Sequence, residues 1–150
     1  MDIKSVEARS RNMAKIKGAR TMPEMFIRSR FHERGLRYRA NCATIPGKPD
    51  LYFPGRGVAV FVQGCYWHRH PGCKYAYTPK SRLEFWLPKL ESNRLRDLQV
   101  HAELAERGIR VLIIWECTIR RMIKDKDLCE ATLDRGIRFV RDGAEGFLEL

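Results

Sequence analysis

Cys65, His70 and Cys73 stand within nine residues of one another, separated by four and by two positions. Thiolate and imidazole at such spacing suit a tetrahedral ion, and Gly64 and the Pro71-Gly72 pair let the backbone fold around one. The surrounding stretch, 64–80, has no hydrophobic periodicity, and loops of that length without secondary structure are usually functional. A tetrahedral shell needs a fourth ligand. Cys117 lies just past the apolar run 110–116 (RVLIIWE); if that run pairs beside 58–63, the C-terminal ends of the two strands meet and Cys117 closes a Cys3His site. Such a closed shell has no open position for chemistry, so the expected ion is a structural zinc that staples the loop to the sheet. Cys42 and Cys129 are read as small buried hydrophobes. Five cysteines are an odd number, and the polar N-terminus has no secretory apolar stretch, so no disulfide framework is expected.

A second group centres on Asp50, which follows Pro49 in the stiff segment Ile45-Pro46-Gly47-Lys48-Pro49 and opens a strand. In so basic a chain, a carboxylate at a strand start either pairs with Arg, caps a turn, or holds a hard metal ion such as magnesium. Pro-Asp, a turn and a hydrophobic strand form a nuclease pattern, in which the Asp holds Mg²⁺ beside the scissile phosphate. The acidic-x-Lys triplet that normally follows is missing, because the second strand reads Phe61-Val62-Gln63-Gly64. His68 comes a few residues later and can take a proton from water near neutral pH, although it is also open to reading as a zinc ligand. Tyr66 and Trp67 stand between a thiol and that histidine, with Trp86 further on; Phe85 is expected to pack inward.

These residues need elements to position them. Thr21-Met22-Pro23-Glu24 has the form of a capping box opening a helix that Gly35 stops near Arg34, with Met22, Phe26, Ile27 and Phe31 on its core side. Residues 36–40 read as a short strand, and 51–53 and 58–63 as a hairpin across the turn Pro54-Gly55-Arg56-Gly57. Ser81-Arg82-Leu83-Glu84 offers another capping box for a helix to Arg107, which Pro88 restarts or kinks. Leu90, Leu98, Ala102 and Ala105 line its expected inner side. The short passage from that helix through Gly108 to the strand 110–116 is an α/β unit, and a last helix over 126–140 covers one sheet face. The expected fold class is therefore α/β, with a mixed central sheet flanked by helices. Residues 1–20 read as a basic arm with a short helical stretch around 6–16, and 21–150 as a single domain.

Charge bounds the partner. Of 150 residues, 29 are Lys or Arg and 18 are Asp or Glu, a formal net charge of +11. Residues 1–40 carry 11 bases and 4 acids and residues 41–124 carry 14 and 7, whereas 125–150 carry 4 and 7. The basic field belongs to the body and the arm, which favours nucleic acid as the partner, with an anionic membrane surface second because no stretch shows a long basic amphipathic helix with a wide aromatic face. No apolar run approaches the roughly 20 residues of a membrane span.

In order along the chain, Arg9-Ser10-Arg11-Asn12-Met13, Pro46-Gly47-Lys48-Pro49-Asp50, Gly64-Cys65-Tyr66-Trp67-His68, Glu84-Phe85-Trp86-Leu87, 93–97 and 111–117 (ending Trp115-Glu116-Cys117) resemble the very short patch repair mismatch endonuclease family. The likeness spans roughly residues 5–122, which no single motif mimics. It implies a restriction-endonuclease-like core and a bacterial, cytoplasmic, nucleoid-associated enzyme. Its activity would be a nick of one strand, 5′ to the thymine of a T:G mismatch left by 5-methylcytosine deamination.

Roles are implied residue by residue. Asp50 matches the essential magnesium ligand, and Val62 the position whose backbone carbonyl binds the same ion. His68 matches the histidine that activates water. Glu24 matches an acid that orders metal-bound water, with helix capping as its rival role, and Asp97 an acid that orients the histidine, with a solvated helix carboxylate as its rival. Cys65, His70, Cys73 and Cys117 match structural zinc ligands. Tyr66, Trp67 and Trp86 match a wedge between base steps, an insertion that costs less at an imperfectly stacked wobble pair. Gln63 stands where the family has a second active-site histidine; it can donate to phosphate or water but cannot act as an acid near neutral pH. The arm would clamp the DNA backbone or minor groove. The implied partners are duplex DNA with a T:G mismatch and mismatch-repair proteins, met by a monomer. Two other functions fit the residues: a zinc-stapled mismatch-binding module without cleavage, and a standalone restriction-type nuclease.

Overall fold

A computed structural model describes residues 21–150; the arm, 1–20, lies outside the described residues, together with the helical stretch expected around 6–16. The elements are α1 (Met22–Glu33), β1 (Arg39–Ala40), β2 (Leu51–Phe53), β3 (Val58–Gln63), α2 (Leu83–Glu106), β4 (Arg110–Trp115), α3 (Glu116–Lys124), α4 (Lys126–Asp142) and β5 (Phe147–Glu149). The five strands lie side by side in chain order. The β1/β2 and β2/β3 pairs are antiparallel and the β3/β4 and β4/β5 pairs parallel, so the sheet is mixed, as expected.

The central strands are apolar on both sides because both sides are covered. Val58 and Val60 of β3 and Leu112 and Ile114 of β4 face a layer built from α1, α3 and α4, where Ile27, Phe31, Ile119, Met122, Leu133 and Val140 close the core. The alternate residues Ala59, Phe61, Val111, Ile113 and Trp115 face the opposite layer, with Leu104 of α2 and Cys65. The parallel register sets Gln63 opposite Trp115, so β3 and β4 end together. The site is built at that common end. No helix among the described residues is long and apolar enough to cross a membrane.

Several local expectations are corrected. Neither capping box forms: Thr21 and Arg82 are the N-caps of α1 and α2, and neither makes a side-chain cap bond. Glu24 is 5% exposed and turned into the protein, whereas Met22, expected in the core, is exposed. Arg82 sits in the left-handed region, and α2 runs through Pro88. The strand expected over 36–40 shrinks to β1.

The inner face of α2 also differs from the expected one. Leu90 and Leu104 are buried and Asn93, Asp97, Val100 and His101 half-buried, while Leu98, at 54% exposure, and Ala102 and Ala105 face outward. Polar Asn93, Asp97 and His101 share the inward positions of this helix with Leu90, Val100 and Leu104, so counting apolar residues selects the wrong side. Phe85 is exposed rather than packed inward, and Cys42 is half-buried, although Cys129 is buried as expected. Helix α3 and strand β5 were not anticipated.

Candidate active site

Glu24, Asp50, Val62, Gln63, His68 and Asp97 line one cleft at the C-terminal end of β3. The loop before β2 that delivers Asp50 is tied by its own backbone. Ile45 N–H donates to Cys42 O (3.2 Å), Lys48 N–H to Ile45 O (3.0 Å) and Cys42 N–H to Pro49 O (3.3 Å). Gly47, at φ +78°, lies so close to α2 that an added Cβ would stand 2.5 Å from Val100 Cγ1. The Asp50 carboxylate accepts the Val62 N–H at 2.7 Å, which locks the start of β2 against β3.

Below Asp50 lies a residue that sequence reasoning did not single out. Arg28 is 4% exposed; its Nη2 donates to the Asp50 carbonyl and to Asn41 Oδ1, both at 3.0 Å, and lies 3.5 Å from Glu24 Oε2. The i, i+4 spacing of Glu24 and Arg28 on α1 was the available signal. Burial is the main reason that the Asp50 carboxyl is pushed up from its ordinary value of 3.8 to about 7; the Val62 N–H opposes the rise, Glu24 adds to it, and Arg28 opposes it. Asp50 and Glu24 also share a side-chain hydrogen bond. Two carboxylates brought together, Glu24 buried and Asp50 half-buried, form an oxygen donor set that fits a hard divalent cation.

On the opposite wall, His68 Nδ1 is 2.7 Å from Asp97 Oδ2. With Nδ1–H donating to the carboxylate, Nε2 is left as the basic nitrogen. The loop that carries His68 is fixed by His68 N–H to Gly64 O (3.1 Å) and by Arg69, which bonds the carbonyls of Tyr66, Ala76 and Tyr77. Arg69 was likewise missed, and its left-handed backbone, φ +54°, leaves no trace in a residue pattern. The expected aromatics assemble nearby. Trp67 lies 5.3 Å from Tyr66 and 5.9 Å from Trp86 between ring centroids, and Trp67 and Tyr66 border the cleft.

The four expected soft ligands, three from spacing and Cys117 from strand pairing, also converge. One ligand atom from each of Cys65, His70, Cys73 and Cys117 lies within 4.8 Å of all the others. Cys117 N–H donates to Cys65 Sγ at 3.4 Å, and Cys117 Sγ is 3.5 Å from His70 Nδ1. Burial, with Cys117 close by, pushes the Cys65 thiol up to about 12, and burial also lowers His70, which favours neutral imidazole. Three thiols and an imidazole favoured in its neutral form, brought this close together, are a donor set that suits a metal ion. His70 stacks flat on Trp115, 4.1 Å between centroids and 8° between planes. Trp115 Nε1–H in turn donates to Glu149 Oε1 of β5 at 2.9 Å. The cluster and the cleft are the two sides of one loop.

Residues 1–74 match the family described as DNA mismatch endonuclease Vsr. The type II nicking enzyme V.XorIIP of Xanthomonas oryzae pv. oryzae is 44% identical over 115 residues, 77% of this chain and 84% of that protein. The type II nicking enzyme V.NmeAIP of Neisseria meningitidis serogroup A is 36% identical over 141 residues, 94% of this chain and 97% of its own length. The DNA mismatch endonuclease Vsr of Escherichia coli K12 is 37% identical over 134 residues, 89% of this chain and 84% of that protein. Identity of 36–44% sustained over most of both chains shows that the chain belongs to the Vsr family of DNA mismatch endonucleases.

Proposed function

We propose that this endonuclease nicks one DNA strand 5′ to the thymine of a T:G mismatch, leaving a 3′-hydroxyl and a 5′-phosphate. The observation that carries the reading is the cleft itself. A half-buried carboxylate, Asp50, and an imidazole held by a second acid, His68 with Asp97, open into the same space. Asp50 and the Val62 carbonyl would hold a magnesium ion, which when bound supplies Lewis-acid charge at the phosphate. His68 Nε2 accepts a proton from the attacking water, Asp97 holds the ring in the required tautomer, and Glu24 orders water by hydrogen bonding. Water forms a bond to phosphorus as the bond to the 3′-oxygen breaks, and the departing 3′-oxygen takes a proton from solvent water to become the 3′-hydroxyl. Gln63, buried beside these groups, donates to phosphate or water rather than serving as an acid.

Zinc is the ion we assign to Cys65, His70, Cys73 and Cys117, because three thiols and one imidazole form a closed tetrahedral set. Its role is to hold Tyr66 and Trp67 rigid, so that with Trp86 they enter the stack at the weakened pair. In this reading the domain, 21–150, has the restriction-endonuclease-like arrangement and acts as a monomer in the bacterial cytoplasm at the nucleoid, with the basic arm on the DNA backbone and mismatch-repair proteins as partners.

The deciding experiment compares T:G, C:G and T:A duplexes in several flanking contexts with Mg²⁺, for the natural chain and for Asp50→Ala. A nick confined to the thymine strand of T:G, lost in Asp50→Ala with DNA binding retained, is expected. Binding without cleavage in any divalent metal would instead mark a zinc-stapled recognition module, and cutting of both strands in matched duplexes a restriction-type nuclease.

A further inference from the structure

Among the described residues, Glu24, Asp50, Asp97 and Glu116 border the cleft, Glu24 beside Arg28 and Glu116 beside Arg120, and the bases on its rim are Lys48 and Arg96. A phosphodiester under attack gains charge on its non-bridging oxygens, so fixed cations at that rim matter more than the net charge of the chain. Lys48 is the better placed of the two. It stands two residues before Asp50 in the tied loop, and its N–H bond to Ile45 O, Gly47 wedged under Val100 and Phe61, and the flanking Pro46 and Pro49 fix its Cα relative to that carboxylate. Its backbone is left-handed, φ +50°, a conformation unfavourable for a residue with a side chain, which the tied loop imposes on it. The side chain is exposed. Among the described residues no carboxylate lies within ion-pair distance of its ammonium. Arg96, on a helix shoulder beside Asp97, also faces the outer surface of α2.

We propose that Lys48 is a catalytic residue of the nick: its ammonium donates a hydrogen bond to a non-bridging oxygen of the phosphodiester seated at Asp50. The second strand of the hairpin holds no lysine, and Lys48 brings that charge from the loop ahead of the first strand. This rests on the reading of Asp50 as the phosphate-side metal ligand. The charge is spent on the transition state, because an ammonium on a compact flexible stem strengthens its contact as the oxygens become more negative.

The test uses the full chain with its metals on a T:G duplex, measuring the single-turnover nicking rate at saturating protein and, separately, DNA affinity across a salt series. Lys48→Gln should slow nicking about 100-fold, the typical loss on removing one preorganised donor. The slope of log affinity against log salt should shrink by about 0.9, one phosphate contact. Lys48→Asn, which tolerates the left-handed backbone better than Lys, should be as slow as Lys48→Gln, whereas Lys48→Arg should recover most of the rate. Nicking by Lys48→Gln at the natural rate overturns the proposal, whatever happens to binding. So does recovery of the rate in Lys48→Asn, since backbone strain would then be the cause. Asp50→Asn is run alongside: full activity there removes the metal-site reading itself, while an inactive Asp50→Asn beside a fully active Lys48→Gln removes only the role of Lys48.

Discussion

His68 Nδ1 and Asp97 Oδ2 meet at 2.7 Å although 29 residues separate them, one on an irregular loop and the other on the inner face of α2. The contact selects the imidazole tautomer and aims the ring, so its loss should show in rate more than in binding. Asp97→Asn keeps the shape but removes the acceptor pair, and its single-turnover nicking should fall by about 10²-fold or more. Affinity for T:G duplex, measured by fluorescence anisotropy, should stay within about threefold of the natural chain, since the substitution leaves phosphate contacts in place. Equal rates for Asp97→Asn and the natural chain would show that the carboxylate does not act through His68.

Asp50 ties stability to pH. Its carboxyl is raised from 3.8 to about 7 by burial, so the folded protein holds a proton that the unfolded chain releases. The resulting stabilisation is fully present below pH 4 and is lost as pH rises through 7. Without divalent metal, Asp50→Asn, which cannot ionise, should therefore gain on the natural chain between pH 4 and pH 8, by on the order of 1–3 kcal/mol. Urea midpoints at several pH values measure the difference. Added Mg²⁺ should reverse the sign at pH 8, because only the natural chain gains a ligand there.

Gly47 is required by geometry. An alanine Cβ would meet Val100 Cγ1 at 2.5 Å and the Phe61 ring at 3.1 Å, from a backbone at φ +78°. Gly47→Ala should cost about 2 kcal/mol through overpacking. For a chain of this length that lowers Tm by about 4–8 °C in calorimetry. Nicking should fall too, even well below the new Tm, because the same displacement moves the start of β2.

Cys117 joins β4 to the loop after β3. Metal analysis of purified protein should find about one zinc per chain, and Cys117→Ser should hold markedly less. Its 64–80 loop should become a preferred site of limited proteolysis, with nicking lost at the same time, because the loop carries His68 and the aromatic rings on its other side. Full zinc content in Cys117→Ser would exclude Cys117 as a ligand.

The parts of this molecule that announce themselves in sequence are those whose chemistry is local. The β2/β3 hairpin follows from two apolar runs around a Pro-Gly turn, and three of the four soft ligands from spacing alone. Cys117 required one tertiary step, the parallel pairing of two apolar strands, and that pairing is present. The inner face of α2 was misread because Asn93, Asp97 and His101 occupy positions where a purely structural helix would place leucine. The capping boxes failed because a motif of four residues does not register that Glu24 has a better partner in Arg28, four residues away and buried. Arg28 has one local sign, its place four residues after Glu24, but a lone arginine in a basic chain looks like surface until the Asp50 carbonyl is found beside it. Strand β5 is short and mostly exposed, and only its partner β4 defines it.

The distance along the chain between Cys65 and Cys117, 52 residues, has a consequence for synthesis at the ribosome. A nascent chain that has emerged only as far as α2 already contains Asp50, His68 and Asp97, yet β3 still lacks its neighbour and the thiol cluster its last member. Long-range parallel pairing forms late because loop closure must precede its reward. The strand that carries Val62 and the loop that carries His68 thus gain their last supports only after β4 and Cys117 have been made.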